Sequence, residues 1–396
     1  MVRSVYLVGA KRTPTGSLQG VLGSFKGHQL GSIAIKSLKV EPSMVDEIIM
    51  GCVLSAAQGQ APARQASIGA GLPVSIPCAT VNKVCGSGMK AIMIATDQII
   101  AGNANSIIAG GMESMTNASY LLEKARFGYR VGHGQIIDHM YRDGLEDAYQ
   151  KNPDGSGQLM GLFAEAAVEK YGFTRNDQDQ FARETLERTL QAIEKGYFKN
   201  ELTPVEIHDP KNGMIVIQDD EPPTRVKPDK FSALKPAFKK DGTITAATSS
   251  SISDGASAIW VVGEEIVKKH SLQPLARIVG YANYSHEPEW FTTAPIGAIQ
   301  KLTNQIKWNI DDVDLFEINE AFAVVPMAVS KELSIPRAKI NIHGGACALG
   351  HPIGSSGARV VVTLAHALKQ HNLKRGIAAV CIGGGEGAAI AIELTL

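Results

Sequence analysis

The chain has 396 residues, 44% hydrophobic and 20% charged, an ordinary globular composition at a length that calls for two or three domains. Its 39 Lys and Arg balance 39 Asp and Glu, which leaves no electrostatic footprint for nucleic acid or an anionic membrane; small molecules and further copies of the chain are the partners expected. No apolar run reaches the roughly 18 to 20 residues of a membrane span, MVRSVYLVGAKRTP is too poor in apolar residues for a signal peptide, and a cytoplasmic location is expected.

In chain order, VDEIIMGCV (45–53) sets an acid ahead of an apolar strand. VNKVCGSGMKA (81–91) then places one cysteine between a β-branched run and a Gly-Ser-Gly bend, and CGSGMKAIMIATDQII (85–100) continues with helical periodicity. A strand ending in glycines follows, SIIAGGMES (106–114). The second half repeats this order with DVDLFEINEAFA (312–323), IGSSGARVVVTLAHAL (353–368) and GIAAVCIGGGEG (376–387). The distance from Asp46 to Gly88 nearly equals that from Asp314 to Gly357. The repeat predicts two βαβ-type halves, parallel sheets covered by helices, packed about a pseudo-twofold axis.

Between the halves, over 115–248, the composition shifts. KNPDGSGQ and DDEPPTRVKPDK flank an amphipathic helix, FAEAAVEKYG, and a second helical run, NDQDQFARETLERTLQAIEKGYF, that opens on an Asn N-cap candidate. An inserted subdomain is expected here.

The cysteines, Cys52, Cys78, Cys85, Cys347 and Cys381, lie far apart with no CxxC, which argues against a disulfide framework. Any one of them, taken alone, is a small buried hydrophobe or a reactive thiol. NIHGGACALGHPIGSSGARV (341–360) spaces His343, Cys347 and His351 by four, a one-face metal set if the segment were helical. Its glycines and proline oppose that helix at roughly 1 to 3 kcal/mol each, so no metal is expected. A loop so rich in glycine suits backbone approaching a ligand, or amides aimed at a developing charge, and His351 becomes a candidate base. CIGGGEGAAIAIELTL fits the glycine pattern of a dinucleotide fingerprint, but it continues as a strand without the acidic ribose partner. What it leaves is Cys381 at a strand end, followed by glycines whose amides can donate.

VNKVCGSGMKA, GGMESM, NEAFA, GGACALGHPIGSSGAR and CIGGGEG, in this order and with AKRTPTGSLQG (10–20) and KPAFKKDGTITAATSSSISDGA (235–256), resemble the thiolase family over nearly the whole chain. They are most similar to its acetyl-CoA C-acetyltransferase branch. The resemblance implies an α/β thiolase fold: two duplicated βαβαβ-type halves in a layered αβαβα arrangement with an inserted loop subdomain. The halves would be 1–114, completed by about 249–274, and 275–396, with 115–248 as the insertion. The implied activity is a reversible Claisen condensation of two acetyl-CoA to acetoacetyl-CoA and CoA.

A Claisen exchange between thioesters needs a soft nucleophile, a base, a second proton carrier and donors for two oxyanions. By the resemblance, Cys85 takes the acyl group at a helix start, where the dipole favours thiolate. His351 removes its proton, and Cys381 exchanges a proton with the α-carbon. Asn319 would hold a water that completes one oxyanion hole with His351, and the amides of Cys85 and Gly383 form the other. Glu320 is read as a buried partner of its neighbours. Ser250, Ala246, Met160, Ala321, Phe322 and Phe291 would line the pantetheine and acyl path, and Arg225, Lys227 and Lys230 would meet phosphates. Coenzyme A and acetyl-CoA are substrates, no cofactor is permanently bound, and a homodimer or homotetramer is implied.

Two positions depart from the family pattern. Leu159 precedes Met160 and Gly161 where a histidine is common, and Phe291 stands where a methionine often lines the acyl pocket; both bear on chain length. The alternative activity is a degradative 3-ketoacyl-CoA thiolase acting on longer chains. A β-ketoacyl synthase would carry a second histidine at Cys381, and a non-catalytic acyl-CoA binder would lack the cysteines.

Overall fold

The acid ahead of the apolar strand does the same local work in each half. Asp46 Oδ2 accepts the backbone N–H groups of Asn105 (2.7 Å) and Ser106 (3.1 Å), and Asp314 Oδ2 accepts those of Lys374 (2.9 Å) and Arg375 (2.8 Å). Each carboxylate thereby hooks the start of one strand to the start of its parallel neighbour across a helical crossover. These contacts come from a computed structural model that describes residues 3–209 and 213–395.

In the first half the strands lie in the order Cys78–Val81, Glu47–Gly51, Ser106–Ser114, Ser253–Gly263, Val5–Arg12. The second half runs Leu315–Ile318, Arg375–Ile382, Glu386–Leu394, Ala276–Ser285. The repeat is borne out, but the sheets are mixed where parallel ones were expected. Only the pairs joined by a helical crossover are parallel. Arg375–Ile382 turns into Glu386–Leu394 through a three-residue glycine turn, which permits only an antiparallel hairpin, and Ser253–Gly263 returns from the inserted segment against its neighbours. The two halves join in one sheet where Val5 pairs with Ile278 and Leu7 with Ala276.

Helices Gly27–Ser37 and Pro62–Gly69 cover the outer face of the first half, and Ala294–Ile306 and Val324–Leu333 that of the second. Helices Ser87–Ala101 and Ile353–Gln370 lie between, sharing one apolar core with strands from both halves. This is the αβαβα layering that the resemblance implies. The second central helix is buried nearly all round, as a middle layer requires. The two cross where neither carries a side chain: a Cβ on Gly88 would stand 2.8 Å from Ala358 N, and one on Gly357 would stand 2.7 Å from Met89 N and 3.2 Å from Cys85 O. Glycine in the Gly-Ser-Ser-Gly bend, read as opposing helix, instead sits within the first turns of Ile353–Gln370, where close approach outweighs its propensity cost.

The inserted segment contributes helices Met160–Tyr171 and Arg175–Glu194. The second is capped by Thr174, not by the asparagine expected: Thr174 Oγ1 accepts Asp177 N–H at 3.1 Å while Asp177 Oδ2 accepts Thr174 N–H at 2.7 Å, a reciprocal box that Asn176 stands two residues too late to form. Arg12, in the AKRTPTGS stretch, is fully buried and ties the segment to the first half through Glu201 (2.6 Å) and a two-pronged contact with Asp220 (2.7 and 2.9 Å). A guanidinium so placed is tolerable only because both acids pair with it. Among the described residues no helix is long and apolar enough to cross a membrane.

Candidate active site

Cys85 follows a strained turn. Val84 has φ of 46°, the left-handed region that a β-branched residue rarely enters, and the turn is held by Ser87 Oγ, which accepts Lys83 N–H (2.8 Å) and donates to Val84 O (2.7 Å). Cys85 and Gly383 line a cavity of about 240 Å³ that is walled mainly by apolar side chains. Burial pushes the Cys85 thiol up to about 11, while hydrogen bonds from the Gly383 amide and from its own amide favour the thiolate and limit the rise. At neutral pH Cys85 therefore rests as a thiol, in spite of the helix start beside it, and needs a base to become a nucleophile.

His351 lines the same cavity. Ser356 Oγ spends its single proton on Pro352 O (2.9 Å), so at 2.5 Å from His351 Nδ1 it can only accept, which fixes the Nδ1–H tautomer. Nε2 is then an acceptor, and among the described residues it has no partner. Burial, followed by the nearby Arg359 charge, lowers the His351 pKa to about 4, so the imidazole is neutral at physiological pH. The strap Ser249–Ile252 holds the ring's backbone, with His351 N–H donating to Ser251 O at 3.1 Å.

Asn319 and Cys381 are fully buried, and neither is among the residues that line the cavity. Both polar atoms of the Asn319 carboxamide lack a hydrogen-bond partner among the described residues, a cost that a buried amide accepts where something else is to be bound. Burial, and then the charge that Cys85 can carry, raise the Cys381 thiol well above its ordinary range, which places the two sulfurs in one electrostatic neighbourhood. Glu320 matches its duller reading: its carboxylate accepts Thr185 Oγ1 (2.9 Å), Asn341 Nδ2 (2.8 Å) and Cys347 N–H (3.1 Å), bracing the glycine loop.

The three residues of the apparent metal set part company. His343 faces His371 with their Nε2 atoms 3.0 Å apart, Cys347 lines a second cavity, and only His351 reaches the first. Ser250, Met160, Ala321, Phe322 and Phe291 also line the first cavity, with Leu159. Phe291 packs edge-on against Phe322, centroids 6.4 Å apart, and so forms part of an aromatic wall. The second cavity, of about 380 Å³, gathers Ala246, Arg225, Lys227 and Lys230. The strap and the residues just before it serve both cavities: Ser249, Ser250 and Ile252 line the first, Ala246, Ala247 and Ser251 the second. Arg225 is paired with Glu221, whereas Lys227 and Lys230 have no ion pair among the described residues.

Three contributors escape a reading of the sequence. Ser356 was visible only as part of a bend. Phe238 closes the first cavity by packing where a Gly161 side chain would stand, and nothing in KPAFKKDG announces it. Glu113, in GGMES, is fully buried and accepts the N–H groups of Val53 (2.9 Å), Leu54 (3.2 Å) and Gly354 (3.0 Å), joining a loop of the first half to the second central helix; an acid ending an apolar strand was the available signal.

Residues 5–265 match the family model described as thiolase, N-terminal domain, and 272–394 the one described as thiolase, C-terminal domain. A probable acetyl-CoA acetyltransferase of Dictyostelium discoideum is 46% identical over 99% of this chain and 94% of its own length. A crystal structure of the Bacillus anthracis acetyl-CoA acetyltransferase superposes with a TM-score of 0.95 at 39% identity, covering 100% of this chain and 99% of that one. A thiolase of Ascaris suum solved in complex with coenzyme A gives 0.91 at 41% identity, covering 99% and 100%.

Proposed function

The chain belongs to the thiolase family, and on that premise we propose that its Cys85 cavity carries the chemistry of an acetyl-CoA C-acetyltransferase, the reversible condensation of two acetyl-CoA to acetoacetyl-CoA and CoA. The enzyme is an acyltransferase. The names of its relatives favour the acetyl-transferring reading over cleavage of longer chains. The observation that carries the reading is the pairing, in one apolar cavity, of a neutral thiol receiving the Gly383 amide with an imidazole whose Nε2 is unpartnered.

His351 Nε2 takes the Cys85 proton as sulfur attacks the thioester carbonyl, and returns it to the departing CoA sulfur, leaving an acetyl thioester on Cys85. Asn319 and His351 serve one developing oxyanion and the amides of Cys85 and Gly383 the other. In the second half-reaction the Cys381 thiol passes its proton to neutral His351, the resulting thiolate takes a proton from the methyl of the second acetyl-CoA, and the carbanion attacks the acetyl carbonyl and expels Cys85 sulfur, which takes up the proton held by His351 as acetoacetyl-CoA leaves. Burial of both thiols keeps them neutral until a base acts, which limits alkylation by stray electrophiles. The pantetheine arm runs along the strap, past Ser250, Ala321, Phe322 and Met160, with Ala246 beside it and Arg225, Lys227 and Lys230 near the phosphates. We read coenzyme A as substrate only, the assembly as a homodimer or homotetramer, and the location as cytoplasmic.

Iodoacetamide labelling tests this reading. Cys85 is expected to be the residue whose alkylation abolishes thiolysis of acetoacetyl-CoA, acetyl-CoA is expected to protect it, and Cys85→Ala should lower turnover by at least about 10⁴-fold. Unaltered turnover in that variant would remove Cys85 from the mechanism.

A further inference from the structure

The donor on Cys85 and the sulfur it serves come from opposite halves of the chain. The loop Asn82–Gly86 precedes the first central helix, and Gly383 lies in the turn between the last two strands, where Gly384 and Gly385 have φ of 89° and 83°. A glycine turn has little stiffness of its own, so the direction of the Gly383 N–H depends on what holds that turn against the other loop. Two contacts do so. Ile382 Cδ1 fills the space where a Gly86 side chain would be, 2.4 Å from that position. The second is an ion pair between Lys83 Nζ and Glu386 Oε2.

The pair is placed to act on geometry. Lys83 is separated from Cys85 by strained Val84 alone, and Glu386 opposes Ile382 in the last pair of the hairpin before the glycine turn, with Gly387 opposite Cys381. Among the described residues no other ion pair joins the two loops. Strain of the kind seen at Val84 persists only where its surroundings over-determine it. The groups that perturb Cys85 are burial and two amides; the Lys83 charge is not among them.

We propose that Lys83 and Glu386 are positioning residues, a clamp between the halves that holds the Gly383 N–H on Cys85 Sγ and the strained turn in place. The proposal rests on the acyl-transfer reading above for its effect on turnover, and on geometry alone for its effect on the thiol. The chemical step itself is unchanged by it. A single half-buried ion pair near the surface contributes little to stability, so its loss should be felt in the site rather than in the fold.

Lys83→Met, Glu386→Gln, Lys83→Arg and the reversed pair Lys83→Glu with Glu386→Lys would be compared with the parent in the full chain. The readouts are kcat and KM for acetoacetyl-CoA thiolysis and the pH profile of Cys85 alkylation by iodoacetamide. Each neutralising variant is expected to lose about tenfold in kcat, a fraction of the 10²–10³ lost with a whole oxyanion donor, with KM within about twofold. Its alkylation profile should move to higher pH, because a loosened Gly383 amide stabilises the thiolate less. Lys83→Arg and the reversed pair should regain most of both. Parent-like kcat and alkylation in the neutralising variants would overturn the clamp, as would a stable Lys83→Arg variant as poor as Lys83→Met. Labelling at Cys85 without any thioester turnover in the parent would overturn the acyl-transfer reading instead, and the alkylation profiles would still decide the clamp.

Discussion

Ser356 Oγ lies 2.5 Å from His351 Nδ1 and has already given its proton to Pro352 O. A hydroxyl used in this way sets the tautomer of the ring without adding charge, and it leaves Nε2 facing the cavity as a lone pair. Ser356→Ala should therefore lower kcat by about tenfold, a fraction of what general acid–base catalysis supplies, with KM little changed. Equal losses in kcat and thermal stability would reduce Ser356 to a structural contact.

Gly161 leaves room for the Phe238 ring, whose nearest atom would be 2.2 Å from a Cβ there. Gly161→Ala must push that ring toward Phe322, its edge-on neighbour at 5.8 Å, and so into the cavity both line. The expected result is a several-fold rise in KM for acyl-CoA and a stability loss of about 1 to 3 kcal/mol, typical of overpacking. A variant with unchanged KM would show that the ring does not border the substrate path.

Lys227 and Lys230 reach the second cavity without ion-pair partners among the described residues, while Arg225 is engaged by Glu221. Replacing both lysines by Gln should raise KM for acetyl-CoA several-fold at low salt and much less at about 0.5 M salt, where charges are screened over a few ångströms. A pantetheine thioester without the nucleotide should not distinguish variant from parent. If it does, the lysines act on something other than phosphate.

His343 and His351 are held neutral by burial, at about 3 and about 4, with the facing His371 adding to the first and Arg359 to the second. Both values lie below the ordinary 6.5, so the unfolded chain binds protons that the folded chain refuses. Their contribution to stability is complete above about pH 6.5 and is lost as the pH falls toward 4, by up to roughly 1.4 kcal/mol per pH unit for each histidine. Glu113 and Glu317, raised by burial to about 7, act oppositely, because they are protonated in the fold and favour it as pH falls. The discriminating quantity is consequently a difference. His343→Phe, which retains a ring for Tyr197 to stack on, should flatten the acid side of Tm against pH relative to the parent. Parallel curves would show that His343 titrates alike in both states.

Much of this was legible in the order of the motifs. The repeat from Asp46 to Gly110 and from Asp314 to Gly383 predicted two like halves, and the hooks formed by the two aspartates show why an acid stands there twice. Strand direction was not legible, because an apolar run such as SDGASAIWVVG reads the same whether its neighbours run with it or against it. The cysteine and histidine that share the cavity could be named from their glycine-rich settings. Ser356 and Phe238 could not, since their importance lies in a proton already spent and a space left by Gly161. The cap at Thr174 was missed because a good capping residue two positions later drew attention from the Thr-x-x-Asp box.

The crossing at Gly88 and Gly357 has a bearing on how such a chain can change over generations. The separation of the proposed nucleophile from the proposed base is set there by two missing methyl groups, since each central helix begins only a few residues before its glycine. A single added carbon at either position would wedge the helices apart and carry Cys85 and His351 with them. Selection for the reaction thus falls on two places that no reactant ever meets, and because the first atom an added carbon would meet is a backbone nitrogen of the facing helix, no smaller side chain opposite could make room for it.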